Sequence, residues 1–363
     1  MERLSSVFYS IQKWLFPVLE EELGELGEKE REFVRVLELM KPDKFMGPFG
    51  WQGMGRPRDG RLPVLKAFMA KTVFKYPDTR ALLAGVKGSP KLRRLCGWET
   101  VGEIPSEPTF SRAFAEFAAA GLLSKIHAAM VVENVGDRVV GHVSRDSTAI
   151  EAREKAVGMA PSLKVKKARK RGRPRKGEEK LQEPKRLELQ FQRALEENVA
   201  DLPKDCAWGC KKGSKGKVET WCGFKLHIDT MDGGIPLSVI LTSASVHDSQ
   251  VAIPLAQMTA ARTTNLYDLM DAAYDAPQIR EFSFGLGHVP VIDSNKRRGE
   301  KTEFDPAKKA RFKERTTAER VNSELKDNYG GNYLRVKGYA KVLAHLMFGI
   351  IAITGKQLYN LLC

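Results

Sequence analysis

The chain is poor in cysteine, with five residues among 363, at positions 96, 206, 210, 222 and 363. An odd number at scattered spacing argues against a disulfide framework and fits a reducing, cytoplasmic setting. By residue type alone Cys206, Cys210, Cys222 and His227 would make a zinc quartet. However, 222–227 has the pattern of a strand, where residues five apart point to opposite faces, so the expectation is ordinary cysteines near a loop. A long apolar run is also missing. The longest, 342–353, is about a dozen residues and contains His345, too short to span a bilayer and sized for a buried helix. The opening MERLSSVFYSIQKW lacks a signal-peptide pattern, and acidic residues follow at Glu20 to Glu22, so no membrane partner is expected. No glycine loop of the P-loop type is present, and no nucleotide cofactor is expected.

What the chain does have is positive charge: 60 Lys and Arg against 45 Asp and Glu, a net +15. Such a surplus points to a polyanion, either nucleic acid or an anionic membrane surface. With no membrane signal, nucleic acid is the expected partner. At 42% hydrophobic and 29% charged, the chain can bury a sizeable core and form two or three domains.

Residues 1–135 have helical texture. Apolar spacing predicts a helix over 62–76, ended by Pro77, a short one over 79–86, a break at Gly88-Ser89-Pro90 and another to Cys96. Thr109 is expected to cap a helix whose apolar face is Phe110, Ala113, Phe114 and Phe117. With Arg80 and Arg112 exposed, these short helices suit either helix-turn-helix DNA binding or a plain helical bundle. From Gly136 strand patterns dominate. Strands are expected over 138–144 (ending at Asp146), 224–228, 236–242, 265–271 and 288–293, with a Gly233-Gly234 turn. Helices are expected over 249–262, from Pro277, over 307–328 and over 339–362. This order predicts an α/β fold, a mixed sheet with helices on its faces. A foreign-looking insert, about 155–215, separates the first two strands, with a short helix over 187–195. Its core, 164–176, carries nine Lys or Arg in thirteen residues and cannot bury enough apolar surface to order itself.

Three carboxylates stand out by position: Asp146 and Asp271 at expected strand ends, and Glu319 inside the long helix. Neighbouring strand ends bring side chains together at one edge of such a sheet. Cutting a phosphodiester needs an activated water and a stabilised leaving oxygen, which two Mg²⁺ ions about 3.5–4 Å apart supply. Mg²⁺ takes carboxylate, water and phosphate oxygens, and Mn²⁺ fits the same donors. On an ideal helix Phe312, Arg315, Glu319 and Lys326 fall within an arc of roughly 60°, opposite Ala318, Val321 and Leu325. That arrangement presents one glutamate flanked by cations able to hold DNA phosphates. A solvated helix with i,i+4 ion pairs has the same pattern. The turn around His247-Asp248 either shapes this site or caps the next helix through Asp248.

Here the chain resembles the bacterial insertion-sequence transposases with a ribonuclease-H-like DDE domain. Their helix signature, Tyr-x2-Arg-x3-Glu-x6-Lys, is similar to Phe312-x2-Arg315-x3-Glu319-x6-Lys326, with Phe for Tyr. The stretches Asp146-Ser147-Thr148, His247-Asp248-Ser249 and Asp271-Ala272-Ala273-Tyr274-Asp275 resemble other family blocks. Asp268 departs from the usual apolar residue. Gly55-Arg56-Pro57 through Pro105-x3-Thr109-Phe110 resembles the family's helical N-terminal domain. The resemblance covers most of residues 50–355. It implies a helical domain over 1–135 that binds DNA and a catalytic domain over 136–363, with Asp146, Asp271 and Glu319 as catalytic metal ligands and Arg315 and Lys326 as accessory. It also implies metal-dependent cleavage of element ends, transfer of the freed 3′-hydroxyl to target DNA, and a homodimer on double-stranded DNA.

Within the insert, Arg171-Gly172-Arg173-Pro174 resembles the core of an AT-hook, whose arginines enter the narrow minor groove. Lys170, Arg171, Arg173 and Arg175 are therefore candidate DNA contacts, a solvated basic loop being the plainer alternative. Gly55-Arg56-Pro57-Arg58 repeats part of the pattern. A catalytically inactive DNA-binding descendant and a metal-dependent nuclease that does not join strands remain as alternatives.

Overall fold

A computed structural model describes residues 2–51, 53, 60–157, 184–212, 216–294 and 303–361. The basic block 164–176, with Lys170, Arg171, Arg173 and Arg175, and the repeat at 55–58 lie outside the described residues.

The first third is helical: α1 (Glu2–Ser10), a π-helical stretch (Ile11–Leu15), α2 (Phe16–Leu23), α3 (Glu28–Met40), α4 (Arg61–Val73), α5 (Thr79–Gly88), α6 (Pro90–Cys96), α7 (Glu107–Ala119) and α8 (Leu122–Val135). Local signals set several boundaries. Asp78 caps α5 by accepting from the Ala81 N–H at 2.9 Å, and Ser89 caps α6 by accepting from Leu92 at 3.2 Å. Thr109, the expected cap, lies instead inside α7, where it is buried. Ser106 holds the cap position, because Pro108 with its fixed φ suits the first turn and lets the helix start earlier. Phe110, Ala113 and Phe117 are buried as the pattern requires.

The sheet contains β1 (Val139–Glu151), β2 (Ala207–Lys212), β3 (Val218–Met231), β4 (Ile235–Ser243), β5 (Thr264–Met270) and β6 (Val289–Ile292). Its order is β4-β3-β1-β5-β6, with β2 added beside the first half of β3. The β3 pairings are antiparallel, while β1, β5 and β6 are parallel. Gly233 and Gly234 take φ of 80° and 79° in the β3–β4 turn, a conformation glycine reaches without steric cost. The remaining helices are α9 (Arg186–Gln192), α10 (Leu195–Asp201), α11 (Ser249–Ala260), α12 (Pro277–Gly285), α13 (Pro306–Phe312), α14 (Thr316–Asn328) and α15 (Tyr339–Asn360). This is the α/β, ribonuclease-H-like mixed sheet flanked by helices and preceded by a helical region.

Three details differ from expectation. The first strand does not end at Asp146. Thr148 and Ile150 go on pairing with Leu226 and Phe224 of β3, so Asp146 is mid-strand. The stretch expected as an insert contributes β2, α9 and α10 to the fold, the single helix expected over 187–195 being broken at Arg193. The helix expected over 307–328 is interrupted by a 3-10 turn, Lys313–Arg315. The apolar helix expected over 339–362 is α15, 22 residues with mean hydropathy 1.3, long and apolar enough to cross a membrane. Yet 72% of that window is buried inside the protein. It packs on α3, α4, α7 and α8 and also on β4 and α14. One apolar cluster therefore runs from Leu4 and Phe110 through Phe348 and Ile353 to Phe224 and Leu241, joining the helical region to the sheet.

Candidate active site

The parallel ladder between β1 and β5 stops at the pair Arg145 and Met270. Asp146 and Asp271 are each the next residue, side by side where the two strands part. This is the crevice beyond strand ends where α/β sheets place ligands. The divergence has a local cause. Asp271 leaves the strand to start a 3-10 turn (Ala272–Tyr274), its Oδ1 accepting from the Ala273 N–H at 2.9 Å.

Alternation along β1 divides its side chains between two helices. Ser144 and Asp146 face α14. The Ser144 hydroxyl donates to the Glu314 carbonyl at 3.2 Å, and Asn322 Nδ2 donates to Asp146 Oδ2 at 2.9 Å. Arg315 Nη1 lies 3.6 Å from Asp146 Oδ1, while its Nη2 donates to Glu319 Oε1 at 2.5 Å. One guanidinium thus bridges two of the expected metal ligands. Glu324, by contrast, is taken by Lys356 of α15 at 2.6 Å, leaving Glu319 as the glutamate on this face.

Arg145 and Ser147 face α11. Fully buried Arg145 forms a fork with Asp229 at 2.8 and 2.7 Å, and the Thr259 hydroxyl donates to Asp229 at 2.7 Å. Breaking one side of such a buried pair costs roughly 3–5 kcal/mol. Asp268, the unexpected acid in β5, is buried beside this pair, 3.2 Å from His288 Nδ1 and accepting from Asn265 Nδ2 at 3.1 Å. Its partners account for it. Arg145, Asp229, Thr259, Asp268, Asn265 and His288 thus form a buried polar network next to Asp146 and Asp271.

Of the two roles left open for Asp248, the structure does not show the capping one. It stands at the start of α11 but makes no capping hydrogen bond. Its carboxylate is instead 3.0 Å from Lys225 Nζ and 3.8 Å from His227 Nδ1, and it takes a hydrogen bond from Ser147. The site has a fourth carboxylate. His247 turns to the exposed Ser249 hydroxyl at 2.8 Å. Asn322 was the residue that sequence reasoning missed. Its position three residues after Glu319 and seven after Arg315, on one helical face, was the available signal.

Burial pushes the Asp146 carboxyl up to about 6, with Arg315 opposing and Asp271 adding to the rise. Burial likewise raises Asp271, and the Asp248 charge adds to it. Burial acts on Asp248 too, but His227, Lys225 and the Ser147 hydroxyl outweigh it and leave its carboxyl below the usual range. Buried negative charge is thus in excess at this place. Lys211 of β2 lies close enough to act on both Asp146 and Asp271. Burial, and then Lys211, lower the Lys326 ammonium, which sits farther along α14.

Among the described residues no three His, Cys, Asp or Glu side chains converge on a metal as they stand, and Glu319 is turned onto Arg315. The donor chemistry nonetheless fits Mg²⁺ or Mn²⁺: hard carboxylate oxygens, with a cation already drawn between Asp146 and Glu319. Among the described residues Cys206, Cys210, Cys222 and His227 do not gather into one site. Cys206 and Cys222 Sγ lie 3.7 Å apart, Cys210 is exposed, and His227 Nε2 is 3.0 Å from Thr242 Oγ1.

A mixed sheet whose central parallel strands lead into neighbouring aspartates, with a glutamate-bearing helix laid across them, defines a ribonuclease-H-like class. The sequence model of the family described as Transposase DDE domain matches residues 145–354, more than half of the chain, and the chain belongs to that family. No curated protein and no solved structure matches it.

Proposed function

We propose that this chain is a DNA transposase that cleaves element ends by metal-dependent hydrolysis and joins the freed 3′-hydroxyl to target DNA. The observation that carries this reading is the pairing of Asp146 and Asp271 just past the β1–β5 ladder, with Arg315 linking Asp146 to Glu319. In this reading Asp146, Asp271 and Glu319 hold Mg²⁺, or Mn²⁺. The bound metal supplies an activated water and stabilises the leaving oxygen. Arg315, released from Glu319, then binds a DNA phosphate, with Lys211 and Lys326 extending the cationic rim. The likeness of Phe312, Arg315, Glu319 and Lys326 to the Tyr-Arg-Glu-Lys signature supports this assignment. The surplus of positive charge supports double-stranded DNA as partner. The helical region 1–135, with Arg80 84% exposed in its side chain, is assigned to DNA binding and the basic segment around Arg171 to non-specific grip. Two copies pair the element ends.

A plasmid excision assay with the gene's own flanking DNA tests the reading. Wild type is expected to excise and Asp271→Ala to lose all measurable excision. Equal excision by both would remove Asp271 from the chemistry.

A further inference from the structure

Tyr274 closes the short turn that begins at Asp271, its backbone N–H donating to the Asp271 carbonyl at 3.1 Å. Its ring packs with Ala252, Met270, Ile279 and Ile292, and the residue is 1% exposed. The hydroxyl has no hydrogen-bond partner among the described residues, although a buried phenol ordinarily finds one. The carboxylate charges of Asp248, Asp146 and Asp271 act on this hydroxyl. Two more buried atoms around the same carboxylates have unmet capacity. His227 Nδ1 is 3.8 Å from Asp248 Oδ1, and Asn322 Oδ1 belongs to the amide that holds Asp146. Unused hydrogen-bonding capacity thus remains at Tyr274 and His227, on the α11 side of the sheet, and at Asn322, on the α14 side, around these carboxylates. An oxygen ligand held by the carboxylates would give the buried Tyr274 hydroxyl the acceptor it lacks.

We propose that the Tyr274 hydroxyl is a positioning group of this site, donating a hydrogen bond to an oxygen, of water or of a DNA phosphate, held between Asp146, Asp271 and Asp248. The inference rests on the metal-dependent reading given above. Tyr274→Phe is the sharp variant, since it removes one oxygen and keeps the ring that packs the turn. A hydroxyl serving the fold would be missed when the site is empty. A hydroxyl serving a ligand would be missed only when the ligand is there.

The experiment compares full-length wild type and Tyr274→Phe by thermal melting without metal and by calorimetric titration of Mn²⁺, alone and with an uncut duplex of the gene's flanking DNA. The variant is expected to melt at or above the wild-type temperature without metal. Its Mn²⁺ dissociation constant should rise about 10-fold, the size expected when a group orienting a metal's ligands is lost. Weakening with Mn²⁺ alone identifies the oxygen as water, and weakening only with the duplex identifies it as phosphate. Lower melting without metal, together with unchanged Mn²⁺ and duplex binding, makes the hydroxyl structural and overturns the inference. Absence of Mn²⁺ binding by wild type itself overturns the metal-dependent reading, and the inference with it.

Discussion

Asp146 brings the pH dependence of the site down to one carboxyl. Its value in the folded protein is about 6, against 3.8 for an unperturbed aspartate. The folded state therefore holds this proton more tightly than the unfolded chain does. As pH rises from about 4 to about 6 the ionisation of Asp146 costs stability, and above that window the cost is complete. Cation binding requires the ionised form and runs the other way. Mn²⁺ affinity measured by calorimetry is expected to climb as pH rises through about 6, while the metal-free melting temperature falls from Asp146's contribution. Equal affinity at about pH 5 and about pH 7 would show that this carboxylate does not hold the metal. Asn322 belongs in the same account, because its amide favours the ionised carboxylate. An asparagine on a charged helix carries no mark of that task until a strand from 176 residues earlier is laid against it.

At the level of elements, α14 is held in place from behind. A Cβ on Gly349 of α15 would lie 2.6 Å from Leu325 Cδ1, 3.0 Å from Tyr329 Cβ and 3.1 Å from the Tyr329 carbonyl. Gly349→Ala is expected to push the two helices apart, costing about 1–3 kcal/mol by overpacking. Because α14 carries Glu319 and Asn322 and continues directly from Arg315, it should also weaken metal binding. Denaturant titration checks the first effect and calorimetry the second. An unchanged unfolding midpoint would show that the contact is slack. Elements with strong local patterns were readable in advance: α4 to α7, the β3–β4 hairpin with its two glycines, and the apolar side of α14. Those made by distant pairing were not. Strand β2 reads Ala-Trp-Gly-Cys-Lys-Lys, with little strand preference of its own, and exists because β3 extends past β1 and offers a free edge. The second half of β1 depends on β3 in the same way. Asp146 and Asp271 were legible as a pair because each follows an apolar strand. Asp248 was ambiguous because an acid before a helix usually caps it, and Lys225, His227 and Ser147 on neighbouring strands are what hold it instead.

Across the whole molecule, the helical region and the sheet are not separate bodies held by a linker. Both bury apolar side chains against α15, whose Phe348, Ile350, Ile351 and Ile353 are almost without exposure. A fragment of residues 1–135 is therefore expected to lack its covering helix. By circular dichroism it should keep helical signal in the far ultraviolet, lose near-ultraviolet signal and bind a hydrophobic dye. A sharp cooperative melt of the fragment would show instead that the region folds alone. The same feature bears on how damaged copies of the gene behave. A stop codon anywhere before residue 339 removes a helix that both parts pack against, so the truncated product is expected to be a substrate for proteolysis. On the proposed reading, such a copy would leave no stable half-molecule to occupy DNA and obstruct an intact copy.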